Sequence, residues 1–176
     1  MTKAKLFTAA AALVLAAGLA AAAPQRARWR TATADELRRV IPARAPVIKE
    51  NIETEFRTAS GAVDNRGRFI AGVVMITAGY SAEGKYSHFF LTQAPLRVGD
   101  IDLPAGQYVF GYTRASEDSL RVSFYRASTG EAVGGAEARR STRKGVGVRS
   151  LLINPPAAGR ANIQIGRFLL EYRVAE

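Results

Sequence analysis

The sequence predicts an all-β fold, an antiparallel β-sandwich or jelly roll of about eight or nine strands with one short N-terminal helix. Apolar residues alternate with others over short segments, as at Tyr108, Phe110 and Tyr112. Turn signals rich in glycine and proline separate these segments at short intervals. This spacing is typical of sandwiches and leaves no room for the crossover helices of a parallel sheet.

The N-terminus has the pattern of a secretory signal peptide. Lys3 and Lys5 form a basic head, residues 6–19 are apolar, and small residues follow for cleavage after Ala22. The sequence therefore predicts a signal peptide over residues 1–22 and a secreted or periplasmic bacterial protein. The alternative is a retained membrane anchor, but the apolar run is shorter than the roughly 20 residues that span a bilayer, and we expect no transmembrane span in the mature chain.

Composition excludes several classes of site. The 176 residues include no cysteine, which excludes disulfides, thiolate metal sites, a cysteine nucleophile and a lipid-modified N-terminal cysteine. Removing the signal peptide takes away Lys3 and Lys5 and no acid, so the formal net charge falls from +10 to +8. This basic balance favours association with anionic surfaces or polymers outside the cytoplasm.

Residues 23–46 form a basic arm ahead of the predicted sandwich domain at 47–176. Arginines flank Trp29, the only tryptophan, and a short helix is predicted after Thr33, because Glu36 completes a capping box. Pro42 is expected to end that helix. Its apolar stripe consists of Leu37, Val40 and Ile41.

The sandwich domain is expected to begin with a strand. Residues 47–57 fit a helix or a strand by periodicity, and their β-branched content favours a strand. Loops are predicted at Ser60-Gly61 and at residues 64–67, and another at 79–85. Residues 69–78 are apolar on both faces, as in a central strand covered on both sides, and residues 86–93 form the next strand.

Two glycines interrupt the alternation of the later strands. The apolar phase shifts by one residue at Gly99-Asp100 and again at Gly166, which predicts β-bulges or strands that switch sheets. Pro104 and Gly106 predict a turn in which Gly106 can take a positive φ. The remaining predicted strands are 120–124, which forms a hairpin with the preceding strand, 133–140, 149–154 and one long strand at 163–174.

Two motifs resemble known sandwich families. Residues 103–108, LPAGQY, resemble the LPxGxY corner of transthyretin-like and carboxypeptidase-regulatory-like domains, and residues 128–136 resemble their TGxPxxGA turn. More broadly, residues 54–112 and 162–173 resemble uncharacterised secreted bacterial β-sandwich proteins of unknown function. These resemblances imply an immunoglobulin-like or transthyretin-like sandwich and an exported protein, and they imply no activity or functional residue.

No catalytic residue, metal ligand set or cofactor is predicted. His88 is the only histidine, which excludes multi-histidine metal sites, and we expect it to share a strand face with Tyr86 and Phe90. Ser87 is adjacent, but consecutive strand residues point to opposite faces, so a serine–histidine hydrogen bond is not expected. Asp100 and Asp102 offer two oxygen ligands for calcium without the rest of a calcium loop.

The densest charge run is the strongest candidate for binding. Arg139, Arg140, Arg143 and Lys144 are predicted to project from one loop, with Trp29 as a second candidate contact. The plainer interpretation is a solvated loop. The sequence predicts a non-enzymatic binding or structural module of the cell envelope or extracellular space, with an anionic envelope polymer or another envelope protein as partner and no nucleic acid. The alternative is a glycan-active or other hydrolase that uses the loop carboxylates of Glu83, Asp100 and Asp102.

Overall fold

The computed structural model describes residues 27–77, 86–143 and 145–175. The predicted signal peptide lies outside the described residues, as do Glu83 and Lys144. The described part contains one helix and thirteen strands: Trp29–Thr31 (β1), Ala34–Val40 (α1), Arg44–Val47 (β2), Glu50–Asp64 (β3), Phe69–Met75 (β4), His88–Thr92 (β5), Leu96–Val98 (β6), Ile101–Leu103 (β7), Gly106–Arg114 (β8), Ser119–Arg126 (β9), Ala132–Arg140 (β10), Arg149–Ile153 (β11), Arg160–Gly166 (β12) and Phe168–Val174 (β13).

All strand pairs are antiparallel, which confirms the all-β, antiparallel part of the predicted fold class and its single short helix. The main strand order is β1-β3-β4-β5-β8-β9-β10-β13-β12-β11, with β2 paired to β3, and β6 paired to β7 and β13. The strands are therefore continuous in one sheet, and the thirteen strands of the described part exceed the eight or nine predicted. The sheet curls until β11 packs against β3 and β4, where the Ile153 amide donates to Ser60 Oγ at 2.8 Å.

The curled sheet has an apolar core on each face. The inner core holds Phe90, Phe110 and Phe124, all fully buried. The outer core holds Val73, Phe89 and other residues beneath α1 and β2. Because β4 and β5 contribute to both cores, the prediction of a strand apolar on both faces is confirmed for β4.

Helix α1 forms for the predicted reasons. Thr33 caps it and forms a capping box with Glu36, while Leu37 and Ile41 are buried against the sheet. The loop predicted at Ser60-Gly61 is wrong, because both residues lie inside β3. Gly61 lies in contact with the helix: a Cβ there would lie 2.9 Å from Leu37 Cδ2 and 2.7 Å from the Ile70 carbonyl oxygen.

Both predicted bulges are tight hairpin turns. Val98 pairs with Ile101, so Gly99-Asp100 is the two-residue turn between β6 and β7. Ile165 pairs with Phe168 in the same way, so the long strand predicted at 163–174 is the β12–β13 hairpin. Gly99 and Gly166 have φ of 56° and 62°, the positive value that suits a glycine at the first position of a hairpin turn.

The LPAG segment leads from the β6–β7 hairpin into the centre of the sheet. Tyr108 is fully buried, and its hydroxyl donates to the Pro104 carbonyl, which closes the connection. Gly106 begins β8 opposite Thr92 and has no positive φ, so that part of the turn prediction is wrong.

Candidate functional site

The outer face of the sheet is apolar over one group of strands and polar over the strands at its β11 end. Over β3, β4, β5 and β8 it carries the outer core, whereas over β10, β13, β12 and β11 it is lined by polar side chains. Residues 141–143 and 145–147, which we call the covering segment, follow β10, and residues 141–143 and Val146 line a groove of about 580 Å³ together with this second part of the sheet. We call it the β10–β11 groove, and it includes three of the four residues of the predicted basic run.

The floor of the groove consists of two rows of side chains that cross the strands. Asn162 pairs with Glu171, and the Asn154 side-chain amide donates to Asn162 Oδ1 at 2.8 Å, which forms a polar row. The second row follows from the pairing of Leu152 with Gln164, of Gln164 with Leu169, and of Leu169 with Arg139. Glu137 lies at the edge of the floor. With it, the floor combines two acids, three amides, one arginine and short apolar stretches.

A buried amide holds the covering segment in place. Gln164 is 5% exposed, and its Nε2 donates to the carbonyls of Gly147 at 2.7 Å and Gly166 at 2.9 Å. Both amide hydrogens are therefore used, one for the covering segment and one for the β12–β13 turn. The groove is a built feature of the fold, because a buried side chain fixes the segment above it.

The basic residues differ in what they contact. Arg139 and Arg140 end strand β10 instead of projecting from a loop, which corrects their predicted placement. The Arg139 side chain is 80% exposed, and its Nε lies 3.5 Å from Glu137 Oε1. Arg143 is exposed in the covering segment, where its backbone amide donates to Ser141 Oγ. These two arginines are available to a ligand.

Arg140 belongs instead to an anchor of the β8–β9 turn. Its guanidinium contacts Asp118 Oδ1 at 2.9 Å and donates to the Glu117 carbonyl, to which Arg114 also donates. Both guanidinium groups lie over the Phe168 ring, at 5.4 Å for Arg140 and 5.7 Å for Arg114. This arrangement serves the fold, because it ties the turn to the start of β13.

Trp29, the other predicted contact, belongs to the sheet. It lies in β1 opposite Asp64, is partly buried against the inner core, and has the Arg68 guanidinium 5.9 Å from its ring centre. Asp64 is buried and accepts hydrogen bonds from the Arg66 and Arg68 amides and from Arg68 Nε. Burial opposes ionisation of Asp64, but these hydrogen bonds outweigh it and lower its pKa.

Ser87 and His88 do hydrogen-bond, contrary to the prediction. Ser87 Oγ lies 2.8 Å from His88 Nδ1. The Ser87 amide donates to the Phe110 carbonyl while His88 pairs with the same Phe110, so two residues face one, as in a β-bulge. Tyr86 packs with the outer core against Tyr125, so it does not share the face of His88 and Phe90 as predicted.

His88 is 3% exposed and its ring stacks on Phe110 at 4.5 Å between centroids. Burial lowers its pKa to about 4, against a smaller opposing effect of the Ser150 backbone. The side chain is therefore neutral at physiological pH and accepts a hydrogen bond from Ser87 or donates one to it. Within the described residues, no carboxylate contributes to this shift.

Asp100 and Asp102, which were considered for a hydrolase and for calcium, lie on the β6–β7 hairpin, whereas Glu83 lies outside the described residues. Asp102 Oδ1 is 3.0 Å from Arg97, and Asp100 lies in the turn. Neither lines the β10–β11 groove. Among the residues that the structure describes, no three His, Asp or Glu side chains come together to hold a metal ion.

Sequence reasoning missed the amides and acids of the groove. The predicted single strand at 163–174 concealed the pairing of Asn162 with Glu171, which depends on the hairpin at Gly166.

The described ranges contain no helix with the length and apolar character needed to cross a membrane. Comparisons of the chain with family models, with curated proteins and with solved structures find no match.

Proposed function

We propose that this protein is an exported, non-enzymatic binding module of the cell envelope or extracellular space, and that its β10–β11 groove holds an anionic group of an envelope polymer or envelope protein. The observation that carries the proposal is the position of Arg139 and Arg143 at one groove, with Arg139 80% exposed. Exposed guanidinium groups bind carboxylate and phosphate through paired hydrogen bonds.

The scaffold supports this role. Because β11 packs on β3 and β4, we infer a sandwich-like arrangement. Its inner core contains none of the side chains that line the groove. Changes to groove side chains are therefore expected to leave the fold intact. The export part of the proposal rests on the signal-peptide pattern of residues 1–22, and N-terminal sequencing of the exported protein is expected to begin at Ala23.

The test is retention of the mature chain on a dextran sulfate column. Retention is expected to fall steeply between 0.15 M and 1 M salt, since the Debye length falls from about 8 Å to about 3 Å. The variant Arg139→Gln/Arg143→Gln is expected to elute at much lower salt than the parent. Arg140 stays unchanged, because its contacts belong to the fold.

The matched control is Arg28→Gln/Arg44→Gln, which removes two exposed arginines outside the groove and lowers the net charge equally. If both double variants lose retention to the same degree, the interaction follows net charge alone and the groove is not a binding site. A larger loss for the groove variant supports the proposal.

A further inference from the structure

The β10–β11 groove brings charges of both signs to one cavity. Arg139 and Arg143 supply positive charge, and Glu137 and Glu171 line the same groove. A site adapted only to a polyanion gains nothing from these carboxylates, because like charges repel a bound anion. The ligand that fits both signs carries both signs itself.

Among the described residues, the opposite charges that line the groove are paired with each other only at Arg139 and Glu137, and both of these side chains are exposed. In the described ranges the side chains of Arg143 and Glu171 form no ion pair, and the Arg139–Glu137 contact is 3.5 Å long. By comparison, the contact between Asp64 and Arg68 is 2.8 Å long. Glu171 is exposed and lies beside Asn162 on the floor, so its carboxylate is accessible from the groove.

The amides of the floor add a second kind of recognition. The hydrogen bond from Asn154 Nδ2 to Asn162 Oδ1 leaves Oδ1 of Asn154 as an acceptor and Nδ2 of Asn162 as a donor. One donor and one acceptor side by side match the N–H and C=O groups of a peptide backbone. Leu152 and Leu169, both half-buried, offer apolar surface for short aliphatic side chains.

We propose that the β10–β11 groove binds a short peptide segment of mixed charge, with a carboxylate against Arg139 and Arg143 and an ammonium group against Glu171. This inference rests on the proposed function and narrows its ligand from an anionic group to a peptide that bears both charges. The Asn154–Asn162 pair then contacts the peptide backbone between the two charged ends.

The test uses two fluorescently labelled octapeptides, alternating (Glu-Lys)₄ and Glu₈, in anisotropy titrations at low ionic strength. We expect the parent protein to bind (Glu-Lys)₄ more tightly than Glu₈. Glu171→Gln is expected to weaken binding of (Glu-Lys)₄ by about threefold, the size typical of one exposed ion pair, and to strengthen binding of Glu₈. The two peptides therefore respond with opposite sign to one substitution.

Glu53→Gln is the matched control, because Glu53 is an exposed acid of β3 outside the groove and its replacement changes the net charge equally. It is expected to leave (Glu-Lys)₄ binding unchanged. Thermal unfolding of both variants checks that the fold is retained, which we expect because both carboxylates are exposed.

The outcomes separate this inference from the proposed function. If Glu171→Gln strengthens binding of both peptides, the groove is an anion site alone, and the mixed-charge ligand is wrong while the proposed function stands. If neither peptide binds and the arginine double variant behaves like its control on dextran sulfate, the mixed-charge ligand and the proposed function are both wrong. Binding to phosphatidylethanolamine vesicles without binding to either peptide would assign the groove to a lipid headgroup and overturn the peptide.

Discussion

Ser87 Oγ lies 2.8 Å from Nδ1 of His88, although the two residues are consecutive at the start of a strand. The bulge opposite Phe110 makes this contact compatible with β structure, since both residues face one partner residue. His88 Nε2 has no hydrogen-bond partner of normal geometry among the described residues, while the ring contacts Ser87 and stacks on Phe110. A proton added to this ring would place a positive charge in the inner core.

The first prediction concerns the pH dependence of stability. The pKa of His88 is about 4 in the folded protein, below its ordinary value near 6.5, so the unfolded chain binds the proton more readily. The free energy of unfolding is therefore expected to fall as the pH is lowered from about 6.5 to 4, by up to about 3 kcal/mol from this group. Urea unfolding at pH 7 and pH 4.5 measures the difference.

His88→Phe is the control for this effect, because it keeps an aromatic ring on Phe110 and cannot titrate. The variant is expected to show a smaller loss of stability between the two pH values, whatever its stability at pH 7. Glu36, whose pKa is lowered to about 2 by Arg30 and Thr33, loses its stabilisation in acid in both proteins. Equal losses in parent and variant would contradict the assignment to His88.

The second prediction concerns the contact between helix α1 and the sheet. A Cβ at residue 61 would overlap the Ile70 carbonyl at 2.7 Å, and backbone cannot move aside cheaply. Gly61→Ala is expected to cost about 1–3 kcal/mol, the usual range for overpacking. Gly147→Ala, where nothing lies within 4 Å of the added Cβ, is expected to change stability by less than about 0.5 kcal/mol.

The Leu37→Ala variant separates the overlap with the helix side chain from the overlap with the sheet. Alone it removes a buried leucine and is expected to cost about 2–5 kcal/mol. Combined with Gly61→Ala it removes the overlap with Leu37 Cδ2, so the two costs should sum to more than the cost of the double variant. Additive costs would place the strain at the Ile70 carbonyl and at Ala71 Cβ, which lies 2.9 Å from the added Cβ.

Local signals predicted helix α1 and strand β4 well. The capping box of Thr33 and Glu36 acts within one turn of helix, so it can be identified without knowledge of the rest of the fold. The doubly apolar segment at 69–78 likewise predicted burial on both faces, because no other packing satisfies such a sequence. In both places the preference of the local sequence agrees with the final packing.

The groove could not be predicted in the same way. A phase shift at a glycine indicates that alternation is broken, but a bulge and a tight hairpin produce the same shift over a few residues. A bulge at Gly166 would make β12 and β13 one continuous strand. Asn162 and Glu171 are paired only because the chain turns back at Gly166. The bulge at Ser87 left no such signal, because it contains no glycine and lies at a strand end.

The third prediction compares the two hairpin glycines. Gly99 and Gly166 both have a positive φ, and alanine is expected to cost about 1–2 kcal/mol at either position. At Gly99 the added Cβ would also lie 3.0 Å from Ala136 Cβ, whereas at Gly166 its nearest neighbour is Phe168 at 4.0 Å. Gly99→Ala is therefore expected to have the lower denaturation midpoint, and the reverse order would contradict the packing of the β6–β7 hairpin on β10.

The fourth prediction separates structural arginines from those proposed to bind. Arg140 contacts Asp118, the Glu117 carbonyl and the Phe168 ring, so Arg140→Ser is expected to lower the free energy of unfolding by about 1–2 kcal/mol. Arg139→Ser and Arg143→Ser are each expected to change it by less than about 0.5 kcal/mol, because the Arg139–Glu137 ion pair is exposed and the Arg143 side chain forms no ion pair with a described residue.

Anion binding should show the opposite order in these three variants. Arg139→Ser and Arg143→Ser are expected to shift elution from dextran sulfate to lower salt, while Arg140→Ser keeps most of its retention at temperatures where it stays folded. The reason is that the Arg140 guanidinium is already engaged by the β8–β9 turn and by Phe168. If Arg140→Ser instead loses retention without losing stability, the turn anchor is not a structural unit, and the binding surface extends from the groove towards Asp118.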